Sequence, residues 1–572
     1  MSVRSDPLPA PSATLHERPW LNHYDYWVPG HIHYARQPVQ RILEVADTRF
    51  GARPATVFFG ARQTYHEIHL QARKFANALA GLGVQKGDRV GIMLPNCPQY
   101  LIAFYGILMA GGIVVNVNPT YTEREIEFTI NDSGLKTLLV LDLLAPRALA
   151  VKERTGLERV IVTGLQEYQP PQVAQGYVAM MRAQGRLVDR PDRPDVLTFA
   201  SLMTSHPPRP PQVEFDPQED VAVLQYTGGT TGTPKGAMLT HYNIVANVIQ
   251  AYMWSREYAR PGEDVWLMIL PFFHVYGLTV GISLGTYFGA ELVLLPQFDA
   301  DMALRAIQEY KVNIFPGVPT LFIALLNHPQ AHTVDWSALR QCNSGSAPLP
   351  VEVIERFAEM ASVNILEGYG LTEASPTTHV NPTFNKNRPG SIGLPYPDTD
   401  CMIVDVETGT TPVPPGEMGE LIIRGPQIMK GYWNKPAETA HTLRGGWLYT
   451  GDIATMDEDG FFYIVDRKKD MLIVSGFNVY PREVEEVLYT HPAIQEAAVI
   501  GIPDAYQGES VKAFIVTKPG QTLTANDVIA FCRTQLAPHK CPRHVEFRDS
   551  LPKTAVGKVL RSALREKGGA GG

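Results

Sequence analysis

The chain has 572 residues, 45% hydrophobic and 19% charged, with a formal net charge of −8. That is the composition of a soluble globular protein, with room for roughly three or four packed units of about 150 residues. Charge is spread without long blocks of one sign, which argues against a polybasic nucleic-acid surface, and five cysteines with no C-x-x-C pair argue against a disulfide framework or a zinc site and for reduced thiols in the cytosol.

In chain order, residues 1–37 open on the polar, Pro-rich "MSVRSDPLPAPSAT", contain no signal-peptide apolar region, and read as an extended leader. A main domain is expected over 38–465. "QRILEVADTRFGARPATVFFG" reads as helix, loop and strand. "HLQARKFANALAGLGVQKGDRVGIMLPNC" reads as an amphipathic helix, with Ala76, Leu79 and Ala80 on one face, stopped by glycine before a buried strand. The longest apolar run, 101–115, is short for a bilayer and is broken by Gly111-Gly112, so it predicts a buried helix, a glycine turn and a strand. "LKTLLVLD", "GAELVLLPQFD" and "VNIFPGVPTLF" continue the alternation, which predicts an α/β domain of mostly parallel sheets covered by helices. Residues 165–215, rich in Gln, Pro and Arg, read as a surface excursion.

The texture changes near Pro382, where short strands and frequent turns predict a β-rich subdomain over about 383–465. In "DEDGFFYIVDRKKD", Asp459-Gly460 turns into the strand "FFYIV". A hinge linker is expected at 466–470. "YPREVEEVLYTHP" then reads as a helix with Pro481 in its first turn and Val484, Val487 and Leu488 on one face. With the strands "EAAVIGIP" and "VKAFIVTK" it forms a small mobile α+β domain over 471–565, followed by a tail at 566–572 expected to be disordered.

One stretch cannot pack a core. "YTGGTTGTPKG", residues 226–236, follows the apolar strand "VAVLQY" and precedes a segment that turns helical near Thr240. Glycines free backbone N–H groups to face an anion, threonine hydroxyls add donors, and Lys235 adds a mobile positive charge, so the simplest ligand is a chain of phosphates. The common nucleoside-triphosphatase loop needs Gly before its lysine and Ser or Thr after it; here Pro234 precedes Lys235 and Gly236 follows.

This string closely resembles the phosphate loop of the adenylate-forming superfamily, which includes acyl-CoA synthetases, luciferases and peptide-synthetase adenylation domains. Further motifs follow in that family's order: "PFFHVYGL" at 271–278, "GSAPLP" at 345–350, "GYGLTEAS" at 368–375, "YTGD" at 449–452, "DRKKDMLIVSGFNVYPREVE" at 466–485 and "PKTAVGK" at 552–558. The resemblance covers about residues 40–562 and is greatest to bacterial long-chain fatty acid–CoA ligases. It implies activation of a fatty acid by ATP to acyl-AMP with release of pyrophosphate, then thioester formation with CoA, using Mg²⁺.

The same resemblance assigns roles. Lys558 bridges the substrate carboxylate and the α-phosphate, where two anions must meet. Glu373 is the Mg²⁺ ligand with Thr227 near the metal, and Thr372 bonds the α-phosphate. Thr227, Gly228, Gly229, Thr230, Thr231, Gly232 and Lys235 hold the phosphates. Tyr369, between Gly368 and Gly370, stacks on adenine, whose edge meets Gly345, Ser346 and Ala347. Asp452 accepts the ribose hydroxyls and Arg467 donates to ribose or phosphate. His274 stands at the acyl-pocket mouth, where amino-acid-activating relatives carry an aspartate, so an amino acid substrate is disfavoured. Phe272, Val275, Tyr276, Leu278 and Val318 are the expected pocket walls; Leu278 stands where some long-chain members have a gating tryptophan. Lys469 is the hinge, and Gly476 lets the pantetheine arm pass.

Three other readings share these features. An aryl acid could replace the fatty acid. The chain could stop at acyl-AMP and pass it to a carrier, although no carrier domain is evident. It could also bind fatty acid under nucleotide control without turnover, which Lys558, Glu373 and Asp452 oppose. Expected partners are small molecules rather than nucleic acid. Peripheral membrane contact at the inner face of the cell membrane and a homodimer are left open.

Overall fold

A computed structural model describes residues 18–187, 193–227, 234–385, 387–475, 477–504, 508–554 and 557–566. The apolar runs become interior strands and the amphipathic segments their covering helices. Val90 and Ile92 are fully buried in the strand Arg89–Met93, and Ala72, Phe75, Ala76 and Leu79 form the buried face of the helix Tyr65–Gly81. That helix starts on a capping box, with Thr64 and Glu67 each bonding the other's backbone N–H. The apolar run near residue 101 forms the helix Pro98–Met109, a turn with Gly111 at φ +82°, and the strand Ile113–Asn116.

Two large sheets build the main domain. The first has eight strands, in the order Gly431–Tyr432, Lys235–Thr240, Val221–Thr227, Ile113–Asn116, Arg89–Met93, Thr137–Leu141, Arg159–Thr163 and Val196–Thr198. Its last six strands are parallel and its first two antiparallel. The second has nine strands; its central run Ile365–Gly370, Gln341–Ser344, Ile314–Gly317, Val265–Met268, Glu291–Leu294 and Pro54–Phe58 is parallel. A third, wholly antiparallel sheet contains Asp400–Val404, Gly419–Arg424, Trp447–Met456, Leu443–Arg444 and Phe462–Arg467. The fourth sheet, beginning at Leu472–Val474, belongs to a separate α+β unit with its own core around Val484, Leu488, Val499 and Ile515. Among the described residues, no helix is long and apolar enough to cross a membrane.

Two expectations need correction. The leader is part of the body from Arg18 onward. Trp20, Tyr24, Trp27, Val28 and Ile32 are buried, Tyr24 donates to the Pro395 carbonyl at 2.6 Å, and Asp25 accepts the backbone N–H groups of Thr383 and Asn385. The aromatic spacing of "PWLNHYDYW" is the signal that its proline-rich beginning obscures. The excursion at 165–215 supplies a helix, Pro171–Ala183, and the edge strand Val196–Thr198 of the first sheet.

Candidate active site

The site forms where the C-terminal ends of strands in the second sheet meet the third sheet and the C-terminal unit. The strand Ile365–Gly370 ends on Gly368, Tyr369 and Gly370. A Cβ on Gly370 would stand 2.1 Å from the Pro376 carbonyl oxygen, so the close return of this strand excludes any side chain there. Tyr369 donates its hydroxyl to Asp452 Oδ2 at 2.6 Å. Asp452, in the strand Trp447–Met456, is also 3.4 Å from Arg467 Nε, its cross-strand partner. The expected adenine and ribose groups therefore occupy one continuous wall. Gly345 and Ser346 follow the strand Gln341–Ser344 and line the same cavity; Ala347 does not.

Thr372 and Glu373 lie in the short helical turn Thr372–Ala374. Glu373 accepts the Tyr432 hydroxyl at 2.6 Å, and its carbonyl accepts the Met429 N–H at 2.8 Å. Lys235 begins the strand Lys235–Thr240, pairs with Glu438, and stands 5.2 Å from the centre of the Tyr432 ring. Thr227 closes the preceding strand. Gly228, Gly229, Thr230, Thr231 and Gly232 lie outside the described residues, as does Gly476. Among the described residues, no cluster of three His, Cys, Asp or Glu could hold a metal. A single carboxylate beside a hydroxyl suits Mg²⁺, which keeps several waters and draws other ligands from phosphate oxygens.

Lys558 reaches this wall from the C-terminal unit. Its loop is pinned by a backbone bond from Thr554 N–H to the Lys558 carbonyl at 2.8 Å. Gly557, at φ +74°, lies so close to Thr320 that a Cβ would fall 2.5 Å from its hydroxyl. Lys558 lines the cavity together with His274, Tyr369 and Thr372. Burial, reinforced by the positive charge of Arg467, lowers its ammonium to about 8, against the opposing pull of Asp452 and Glu373. Burial and the neighbouring Lys558 hold His274 down to about 3, so it is neutral at working pH. Its Nδ1 accepts the Tyr276 N–H at 3.3 Å, which leaves the proton on Nε2 as a donor.

The cavity, about 930 Å³ counting the open space at its mouth, runs from this polar end into a mostly apolar interior that also holds the hydrogen-bonded pair Gln341 and Asn343, Gln341 being the cross-strand neighbour of Ile314. Val275, Tyr276, Val280, Leu284 and Phe288 supply one side, Trp266 and Ile314 another, and the small residues Ala251, Ser255 and Ala259 a third. The first side is built on a π-helical segment, Gly277–Leu284, continued by Gly285–Phe288. Such wide turns recur at functional sites. Here the glycines are forced: a Cβ on Gly277 would lie 2.2 Å from the Pro271 carbonyl oxygen. Val275 and Tyr276 thus line the cavity, but Phe272, Leu278 and Val318 do not. Phe272 packs on the Tyr100 ring at 5.6 Å, Leu278 is fully buried in the same core, and Val318 lies in the core of the neighbouring strand layer. The one-dimensional motif could not show which face of a π turn points inward.

Sequence reasoning missed Tyr432, Glu438 and Glu367. The first two lie in "GYWNKPAET", where an aromatic just before a Pro-started helix and an acid in that helix's first turn were the available signal. Glu367, two residues before Tyr369, is buried and pushed up to about 7 by that burial, partly offset by Arg482 of the C-terminal unit. Lys469 sits in the four-residue crossing between the third and fourth sheets.

The fold and this constellation place the chain among AMP-binding enzymes. It belongs to the AMP-binding enzyme family: that family's pattern matches residues 43–433, and its C-terminal domain matches 483–558. It is 48% identical to a long-chain-fatty-acid–CoA ligase of Bacillus subtilis over 96% of this chain and 98% of the relative. It is 42% identical to one from Escherichia coli over the same shares. Among solved structures, it resembles an anthranilate CoA ligase in complex with anthranoyl-AMP, with a TM-score of 0.82, 30% identity, and coverage of 93% of this chain and 97% of that one.

A pH prediction follows from Lys558. If its ammonium must meet two anions, kcat/KM for adenylate formation falls as pH rises through about 8, because the lysine loses its proton there. In Lys558→Arg, whose guanidinium stays charged, the residual activity lacks that limb. Pyrophosphate release measured from pH 6 to 10 checks this.

Proposed function

We propose that the protein is a long- or medium-chain fatty acid–CoA ligase. In the first step a fatty carboxylate oxygen attacks the α-phosphorus of ATP and the bond to the β-phosphate bridge breaks, giving acyl-AMP and pyrophosphate. In the second, the CoA thiol, losing its proton, attacks the acyl carbon and AMP departs. Tyr369 and Asp452 orient the nucleoside. Lys558 offsets the charge of carboxylate and phosphate, and the neutral His274 donates at the cavity mouth without adding charge. Mg²⁺, held by Glu373 with the Thr227 hydroxyl nearby, would neutralise phosphate oxygens when ATP is bound. Gly476 remains our proposed passage for the pantetheine arm, and Lys469 the hinge.

One observation carries this reading: a lysine from one domain lines a cavity whose walls in the other are largely apolar, from Val275, Val280, Leu284, Phe288, Trp266 and Ile314. Burial supplies about 0.8 kcal/mol per methylene, enough for a chain to be selected without polar recognition. The reading places the enzyme in the cytoplasm, consistent with five free, buried cysteines, and leaves peripheral membrane contact and self-association as extensions of it.

A panel of straight-chain acids from acetate to octadecanoate, with benzoate and coumarate, assayed with ATP, Mg²⁺ and CoA, tests the substrate class. Hexadecanoate is expected to exceed the aryl acids in kcat/KM; the reverse order would make this an aryl acid ligase. Ala251→Trp, which fills the cavity wall, is expected to cut kcat/KM for hexadecanoate about a hundred-fold while leaving hexanoate within a few-fold.

A further inference from the structure

The backbone passes from one body to the other within a few residues. Phe462–Arg467 pairs in the main domain's antiparallel sheet, whereas Leu472–Val474 pairs in the C-terminal unit's sheet. The first helix of that unit, Pro481–Tyr489, begins without a cap from its own N-terminal residue, for Tyr480 makes no side-chain capping bond. The cap comes from across the linker: Arg482 N–H donates to Asp466 Oδ2 at 2.8 Å, and the Arg482 guanidinium donates to the Ile464 carbonyl at 2.5 Å. Arg561, three residues beyond Lys558, stands 3.9 Å from Asp466 Oδ1. The same guanidinium donates to both oxygens of Glu485 at 2.7 Å and lies 3.5 Å from Asp470. Glu485 and Asp470 follow the linker's crossing point and move with the C-terminal unit. Within this cluster, Asp466 is the carboxylate on the main-domain side, and it is only 4% exposed.

A carboxylate at a helix N-terminus is held by the exposed N–H groups and by the dipole. When it belongs to another body, the bond lasts only while the two bodies keep one arrangement. Here that arrangement is the one that puts Lys558 in the cavity. Once the unit turns, Arg561 keeps Glu485 and Asp470, while Asp466 loses both the helix and the guanidinium.

We infer that Asp466 is a positioning residue that holds the C-terminal unit in the adenylating arrangement by capping its first helix across the linker. This rests on the two-step ligase reading. The test uses the full-length enzyme and measures two half-reactions separately: fatty-acid-dependent exchange of pyrophosphate into ATP, and CoA-dependent consumption of supplied hexadecanoyl-AMP. In Asp466→Ala the ratio of the first to the second is expected to fall about ten-fold, with thioester formation at or above the wild-type rate. A residue needed only for folding lowers both together. Should the alanine variant not fold, the ratio is read on Asp466→Asn, which keeps a capping oxygen but loses the charge facing Arg561, and the same direction with a smaller fall is expected. An unchanged ratio in the variant that folds, with both half-reactions running in the wild type, overturns the inference alone. A wild type that performs neither half-reaction overturns the ligase reading and this inference with it.

Discussion

Lys558→Ala is expected to lower fatty-acid-dependent pyrophosphate release about a thousand-fold, while thioester formation from supplied acyl-AMP and CoA stays within a few-fold of wild type. The asymmetry is what makes the prediction specific. Lys558 stands at the cavity mouth with His274, Thr372 and Tyr369, where a carboxylate and an α-phosphate would converge, and no other lysine or arginine lines that cavity among the described residues. Supplied acyl-AMP has already passed the step in which the two anions meet. Loss of its ammonium should therefore spare the second step. Equal losses in both half-reactions would mean that Lys558 serves the fold or the general binding of the nucleotide.

Glu373→Gln should cost adenylate formation about a hundred-fold and raise the Mg²⁺ concentration needed for half-maximal rate. The amide keeps an oxygen that can accept the Tyr432 hydroxyl, now donated to Glu373 at 2.6 Å, so the variant isolates the charge from the packing. Tyr432 also faces Lys235, which pairs with Glu438. The melting temperature is expected to move little. A variant with unchanged Mg²⁺ dependence would remove Glu373 from the metal's coordination.

Much of this arrangement was readable from local patterns because each pattern answers a local need. The Asp459-Gly460 turn forms its hairpin since Gly460 adopts φ +85°, and Pro481 opens its helix where a missing N–H costs nothing. Tyr369 and Asp452 were each legible as motif residues, and their hydrogen bond joins the end of Ile365–Gly370 to the middle of Trp447–Met456 in another sheet. What could not be read is what depends on orientation in space. Phe272, Leu278 and Val318 are apolar and near His274, yet they turn into neighbouring cores, and the cavity's far wall comes from Ala251, Ser255 and Ala259, small residues that carry no signal of their own. Likewise Asp466 reads as one charge in "DRKKD", and only the fold shows it capping a helix fifteen residues on.

Chemistry at the α-phosphate of ATP, with a fatty acid as the nucleophile, underlies every role proposed for these residues. The direct test is exchange of labelled pyrophosphate into ATP by the purified protein with Mg²⁺ and without CoA. Exchange is expected to require a fatty acid and to disappear in Lys558→Ala. Exchange independent of added acid, or fatty-acid-dependent hydrolysis of ATP to ADP and phosphate, would contradict that chemistry.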